Sequence, residues 1–178
     1  GIRGKSDAYI ARNTLTRTGG MPPMIAVRDN SAAVVNSNVI RGGGVAGVMV
    51  QGTARIANNR FEGNGPRRGP GPPNFAAWIH GGSTVTFSGN HSNRWRHALF
   101  ASGAKKICVT ENTARRFLGT AIVVSKSEAP AHVFGNIALS DKPNDKAVSI
   151  TGPKGVVAGN ERRPPQIDKP SAAPSSRP

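Results

Sequence analysis

The sequence predicts an all-β solenoid of about six to seven coils with a flexible C-terminal tail. Three observations point there. Gly (22) and Pro (14) make up a fifth of the 178 residues, and both are poor inside helices. Asparagine recurs in one context at Asn13, Asn38, Asn59, Asn90, Asn112, Asn136 and Asn160. From the second Asn onward, each is preceded by a further short β-type stretch: Ile25–Val27, Val48–Val50, Ala77–Ile79, Ala98–Phe100, Ile122–Val124 or Val148–Ile150.

The residues three before each Asn are Ile10, Val35, Ile56, Phe87, Val109, Val133 and Val157, all apolar. The Asn-to-Asn spacings are 25, 21, 31, 22, 24 and 24. The long interval contains Gly65-Pro66-Arg67-Arg68-Gly69-Pro70-Gly71-Pro72-Pro73-Asn74. Such a Gly/Pro run reads as a loop inserted over 65–75. A repeat of this length, with two or three strands and no helical segment, is the signature of stacked coils. An Asn in every coil has two physical explanations. It can form an inward ladder of stacked amides, or it can simply tolerate a left-handed turn.

The repeated Val-x-x-Asn context, the Gly47-Val48-Met49-Val50-Gln51-Gly52 type of strand and the spacing resemble the right-handed parallel β-helix repeat of pectin-lyase-like proteins, over residues 7–160. The resemblance implies a right-handed parallel β-helix over 1–160 and a periplasmic or extracellular bacterial protein. Members usually begin with a capping helix, whereas this chain begins inside a coil. N-terminal coils and a cap are therefore expected to precede Gly1, and that part of the protein is an expected partner. Residues 161–178, rich in Pro, Ser and Ala, read as the flexible tail. The net charge of +15 belongs almost wholly to the coils.

Strand alternation sorts the faces. With Val48 and Val50 inward, the outward set reads Met24, Ala26 and Arg28; Gly47, Met49 and Gln51; Ala76, Trp78 and His80; His97, Leu99 and Ala101; Ala121, Val123 and Ser125; Ala147, Ser149 and Thr151. Met49, Trp78, Leu99 and Val123 then form one apolar column, beside the polar groups Arg28, Gln51, His80 and His97. Loops leading into these strands add Arg17, Arg41, Arg67, Arg68, Arg94, Arg96, Arg115 and Arg116. Arginine pairs bidentately with carboxylate or sulfate, and Trp stacks on a sugar face. The expected ligand is an acidic polysaccharide, held by Trp78, Met49, Gln51, Arg41, Arg94, Arg96, Arg115 and Arg116. The rival reading is a structural or adhesion segment whose apolar column is covered by the inserted loop or by another part of the protein.

Other chemistries find less support. Glycoside hydrolysis needs two nearby carboxylates, and no acidic residue falls on the outward set. A uronate lyase or epimerase needs a base and a positive charge to neutralise the carboxylate. His80 or His97 with Arg28 or Arg94 would serve, without a metal. The histidines His80, His91, His97 and His132 have no ligand spacing, so no metal and no cofactor are expected. Cys108 is the sole cysteine, which rules out an intramolecular disulfide. No run of 18 apolar residues spans a membrane. A sequence pI near 11.6 attracts nucleic acid, but no recognised binding module is present.

Overall fold

The computed structural model describes residues 1–18, 20–66 and 74–165. These residues form twenty short strands in three parallel sheets and, among themselves, no helix. The first sheet holds β1 (Asp7–Ala11), β4 (Ala32–Asn36), β7 (Thr53–Ala57), β10 (Thr84–Ser88), β13 (Lys106–Thr110), β16 (Ala131–Phe134) and β19 (Lys154–Ala158). The second holds β2 (Thr14–Arg17), β5 (Val39–Gly42), β8 (Arg60–Gly63), β11 (His91–Asn93), β14 (Thr113–Arg115), β17 (Ile137–Leu139) and β20 (Glu161–Arg163). The third holds β3 (Ile25–Val27), β6 (Ala46–Val50), β9 (Phe75–Ile79), β12 (His97–Ser102), β15 (Thr120–Ser125) and β18 (Lys146–Thr151). The chain visits the three sheets in turn, so each coil lies on the one before it.

Alternation within each strand builds the core. In β7, Ala54 and Ile56 are buried while Thr53 and Arg55 are exposed. Parallel pairing in register then stacks like on like. Ile10, Val35, Ile56, Phe87, Val109, Val133 and Val157 form one inward column. Val35 through Val133 in that column are fully buried, each contributing about 1.5–3 kcal/mol.

The seven repeated asparagines are an inward amide ladder at the turn from the first sheet to the second. Asn59 donates its Nδ2 to Asn90 Oδ1 (3.0 Å), and its backbone N–H donates to the same oxygen (2.9 Å). Asn90 repeats both bonds to Asn112, and Asn112 to Asn136. From Asn38 onward each Nδ2 also donates to the carbonyl of the apolar residue in the coil below, as Asn90 does to Ile56 (2.9 Å). Five of the seven, Asn38 through Asn136, are essentially inaccessible. The residue before each Asn has positive φ: Arg12, Ser37, Asn58, Gly89, Glu111, Gly135 and Gly159. The ladder is therefore the reason for the repeated Asn, and the left-handed conformation belongs to the residue before it, not to the Asn itself.

Three sequence expectations need correction. The coils do not stop at 160, because β20 pairs with β17 and carries the second sheet to Arg163. The inserted loop is shorter than 65–75. Phe75 opens β9, and Asn74 is buried, its Oδ1 accepting from the Arg96 N–H (3.2 Å). Residues 67–73 of that loop, with Arg67 and Arg68, lie outside the described residues, as does the tail from 166.

The third correction concerns the third sheet. Phe100, not Leu99, pairs with Trp78, and Leu99 pairs with Ala77. Leu99 and Ala101 are fully buried. The inward columns are Ile25–Val48–Ala77–Leu99–Ile122–Val148 and Val27–Val50–Ile79–Ala101–Val124–Ile150. Alternation also fails where these strands begin. Ala76, Ala121 and Ala147 were expected outside but belong to the core, and Met24 packs against it. At Gly47 an added Cβ would lie 2.9 Å from the Phe61 ring. The chain is still turning a corner there, so two successive residues, such as Ala76 and Ala77, both face in.

Candidate functional site

With the register set, the outward column of the third sheet runs Ala26–Met49–Trp78–Phe100–Val123–Ser149. Trp78, Phe100 and Val123 are half-buried and Met49 is covered. Phe75, at the head of β9, ties the aromatic part together. Its ring stacks on Phe100 (centroids 4.8 Å, 14°), meets Trp78 edge-on (6.0 Å, 79°) and lies 5.2 Å from the His97 ring. None of the six strands of this sheet carries an acidic residue.

The polar groups split between two borders. On the side where the chain leaves for the first sheet, Arg28 donates Nη1–H to Gln51 Oε1 (2.9 Å). His80 follows in the next coil, its ring 4.3 Å from Trp78. Burial lowers the His80 pKa, Arg28 lowers it further, and Asp29 opposes them. On the side where the chain arrives from the second sheet stand Arg94, Arg96, Arg116 and His97. Arg94 and Arg116 occupy left-handed turn positions. The His97 Nδ1 lies 2.6 Å from the Thr120 carbonyl. A carbonyl only accepts, so Nδ1 carries the proton and Nε2 is left as the basic nitrogen. Burial lowers the His97 pKa, the bond to Thr120 opposes this, and Arg96 adds to it.

His80 and His97 therefore do not form one site. His97 pairs with Phe75, at the opposite end of β9 from His80. Five residues of extended chain put roughly 16 Å between those positions. Each histidine has its own arginine, Arg28 or Arg96. Two other predicted residues leave this face altogether. Arg41 and Arg115 project from the outer face of the second sheet, in one column with Glu62 and Asn93. Arg17 turns back to the Pro22 carbonyl.

Phe75 and Phe100 were missed by the sequence reading. No repeated spacing marked Phe100, because Met49, Trp78, Phe100 and Val123 of the outward column stand 10, 12, 12 and 13 residues before the next ladder Asn. Phe75 had no such signal either, because it adjoins the inserted loop.

Comparison with known families agrees with this architecture. A family model described as a right-handed β-helix region matches residues 1–161. The chain belongs to the right-handed β-helix family. No curated protein and no solved structure matches it. As a β-helix, it offers on its third sheet an aromatic strip between two basic borders. That face can stack and pair with anions, but it holds no carboxylate pair for hydrolysis. Cys108 lies on the outer face of the first sheet, between Thr86 and His132. Burial raises its pKa against the pull of Lys106, so its thiol is not an activated nucleophile. Among the described residues no group of three His, Cys, Asp or Glu side chains could hold a metal ion.

Proposed function

We propose that this β-helix module recognises an acidic polysaccharide along the outer face of its third sheet. The observation that carries the reading is the outward pair Trp78 and Phe100, backed by the buried Phe75 ring, on a face free of acids and bordered by Arg28 on one side and Arg94 and Arg96 on the other. Aromatic rings give a sugar's C–H face a flat apolar surface. Arginine forks suit the carboxylates or sulfates beside it. A half-buried apolar strip of this kind marks an interaction surface. Such a ligand puts the protein in the cell envelope or outside the cell.

The test is a binding screen of the full chain against polygalacturonate, alginate, heparin, a neutral glucan and duplex DNA at about 0.15 M salt. Selective binding of one acidic glycan, lost in Trp78→Ala and Phe100→Ala, supports the reading. Equal, salt-sensitive binding of every polyanion, unchanged in both variants, sinks it. No glycan binding at all favours the structural or adhesion alternative. Ultraviolet absorbance followed in the same samples reports unsaturated product. Its appearance, with loss in His97→Ala, would turn binding into uronate elimination with the free Nε2 as base.

A further inference from the structure

The second sheet presents a separate polar face that the third-sheet reading does not use. Two outward columns cross β8, β11 and β14. One reads Arg60–His91–Thr113 and the other Glu62–Asn93–Arg115. Arg41 continues the second column beside Glu62. Arg60 and Arg41 thus flank the Glu62 carboxylate, and Arg115 stands two rungs away from it. Both oxygens of that carboxylate are engaged: Arg60 Nε–H donates to Oε1 (2.7 Å) and Asn93 Nδ2–H to Oε2 (2.8 Å). Burial works against ionising Glu62, but Arg60, Asn93 and Arg41 outweigh it and hold its pKa below the ordinary carboxylate value. Glu62 is therefore an anchor, fixing Arg60 and the Asn93 amide.

Arg115 is placed differently. Among the described residues its guanidinium meets no carboxylate and makes no side-chain hydrogen bond. The neighbouring rung supplies Asn93 Oδ1, an enclosed acceptor without a partner. Arg60 and Arg115 sit at diagonal corners of a depression of about 440 Å³, one rung to either side of His91, with the Arg60-paired Glu62 also on its wall. Two rungs span roughly 10 Å, a gap that two arginine side chains close from opposite sides.

We infer that this depression is a second anion site, in which Arg60 and Arg115 converge on a carboxylate or sulfate group of an acidic glycan over His91. Thr113 supplies a hydroxyl for the neighbouring sugar oxygens. The site is independent of Trp78 and stands or falls without the third-sheet reading.

The experiment is calorimetric titration of the full chain with a galacturonate hexamer and a heparin hexamer. Variants Arg60→Gln and Arg115→Gln are compared with Arg55→Gln and Lys154→Gln, which remove the same charge from the first sheet. Loss of one charge-assisted pair should weaken this site about tenfold or more. The controls should stay close to wild type, and Arg115→Lys should recover only part of the loss, because it lacks the fork. Each hexamer's stoichiometry should fall by one site in Arg115→Gln and keep that site in Trp78→Ala. The inference is overturned by equal losses in the first-sheet controls, by full recovery with lysine, by an unchanged Arg115→Gln titration, or by duplex DNA binding as tightly as the hexamers. If the third-sheet reading alone fails, Trp78→Ala is silent while Arg115→Gln still loses its site.

Discussion

The turn from the first sheet to the second and the turn from the second to the third are built in opposite ways. The first has one left-handed residue followed by one ladder Asn in every coil, from Arg12-Asn13 to Gly159-Asn160, and the five from Asn38 to Asn136 are buried. The second varies in length and content, from the short Arg94–Arg96 passage to the segment between Gly63 and Asn74. The difference is physical. The ladder turn is buried, so each amide must match the ones above and below it. The other turn closes on different side chains from coil to coil, with Trp95 and Phe117 buried and backbone bonds such as Arg96 N–H to the Asn74 carbonyl (2.9 Å), so it is not tied to one repeated amide and can vary in length and carry arginines. The rigid edge registers the coils, and the variable edge borders both candidate binding faces.

The largest expected effect comes from breaking the rigid edge. Asn90→Ala removes the acceptor for both the Asn59 backbone N–H and its Nδ2, and the donor to the Ile56 carbonyl. Several buried groups lose their partners, at roughly 4 kcal/mol in total. Asn13→Ala, at the exposed end of the ladder, should cost about 1 kcal/mol. Urea unfolding midpoints measure both, and equal costs would mean that the ladder is not the register-setting element.

Leu99→Ala and Phe100→Ala sharpen the comparison next. They test which residue the turn between the second and third sheets sends inward. The Leu99 variant should lose about 2–5 kcal/mol of stability. Phe100→Ala should lose far less and show its effect in glycan binding. A reversed pattern would restore the register that simple alternation predicts.

The pH dependence gives a smaller effect. His80 and His97 have lowered pKa values in the folded protein, against 6.5 for the free side chain. The folded state takes up those protons less readily than the unfolded one. Stability is then fully present above that value and declines as pH falls below it. Thermal melts at pH 8 and pH 5 should show the drop, and His97→Phe should show less of it. Glu62 adds a further decline below its ordinary value of 4.5, because its carboxylate is held ionised. A melting temperature flat from pH 8 to pH 5 would contradict the histidine assignment.

The smallest expected effect is a gain. Glu111 sits at φ +56 in the same turn position that glycine occupies at Gly89, Gly135 and Gly159. Glu111→Gly removes a left-handed strain of about 1–2 kcal/mol and adds the chain entropy of glycine, of roughly 0.5–1 kcal/mol. The net should be a stabilisation of about 0.5 kcal/mol, read from the shift in urea midpoint.

Much of this molecule is determined by the sequence alone. The Asn period, the apolar residue three before each Asn and the approximate coil count follow from local rules. A buried amide or an inward Val needs only its own coil's spacing to be recognised. The outward face of the third sheet was decided by the tertiary structure. Its strands are reached through turns of varying length, and alternation cannot be carried across a corner where Ala76 and Ala77 both face in. Pairing of β9 with β12 chose Phe100 over Leu99 and separated His97 from His80, while the pairings of β5 with β8 and of β11 with β14 left Arg41 and Arg115 on the second sheet. A one-residue change in turn length exchanges the two faces of a strand, and only the stacked neighbours determine which exchange buries the larger apolar surface.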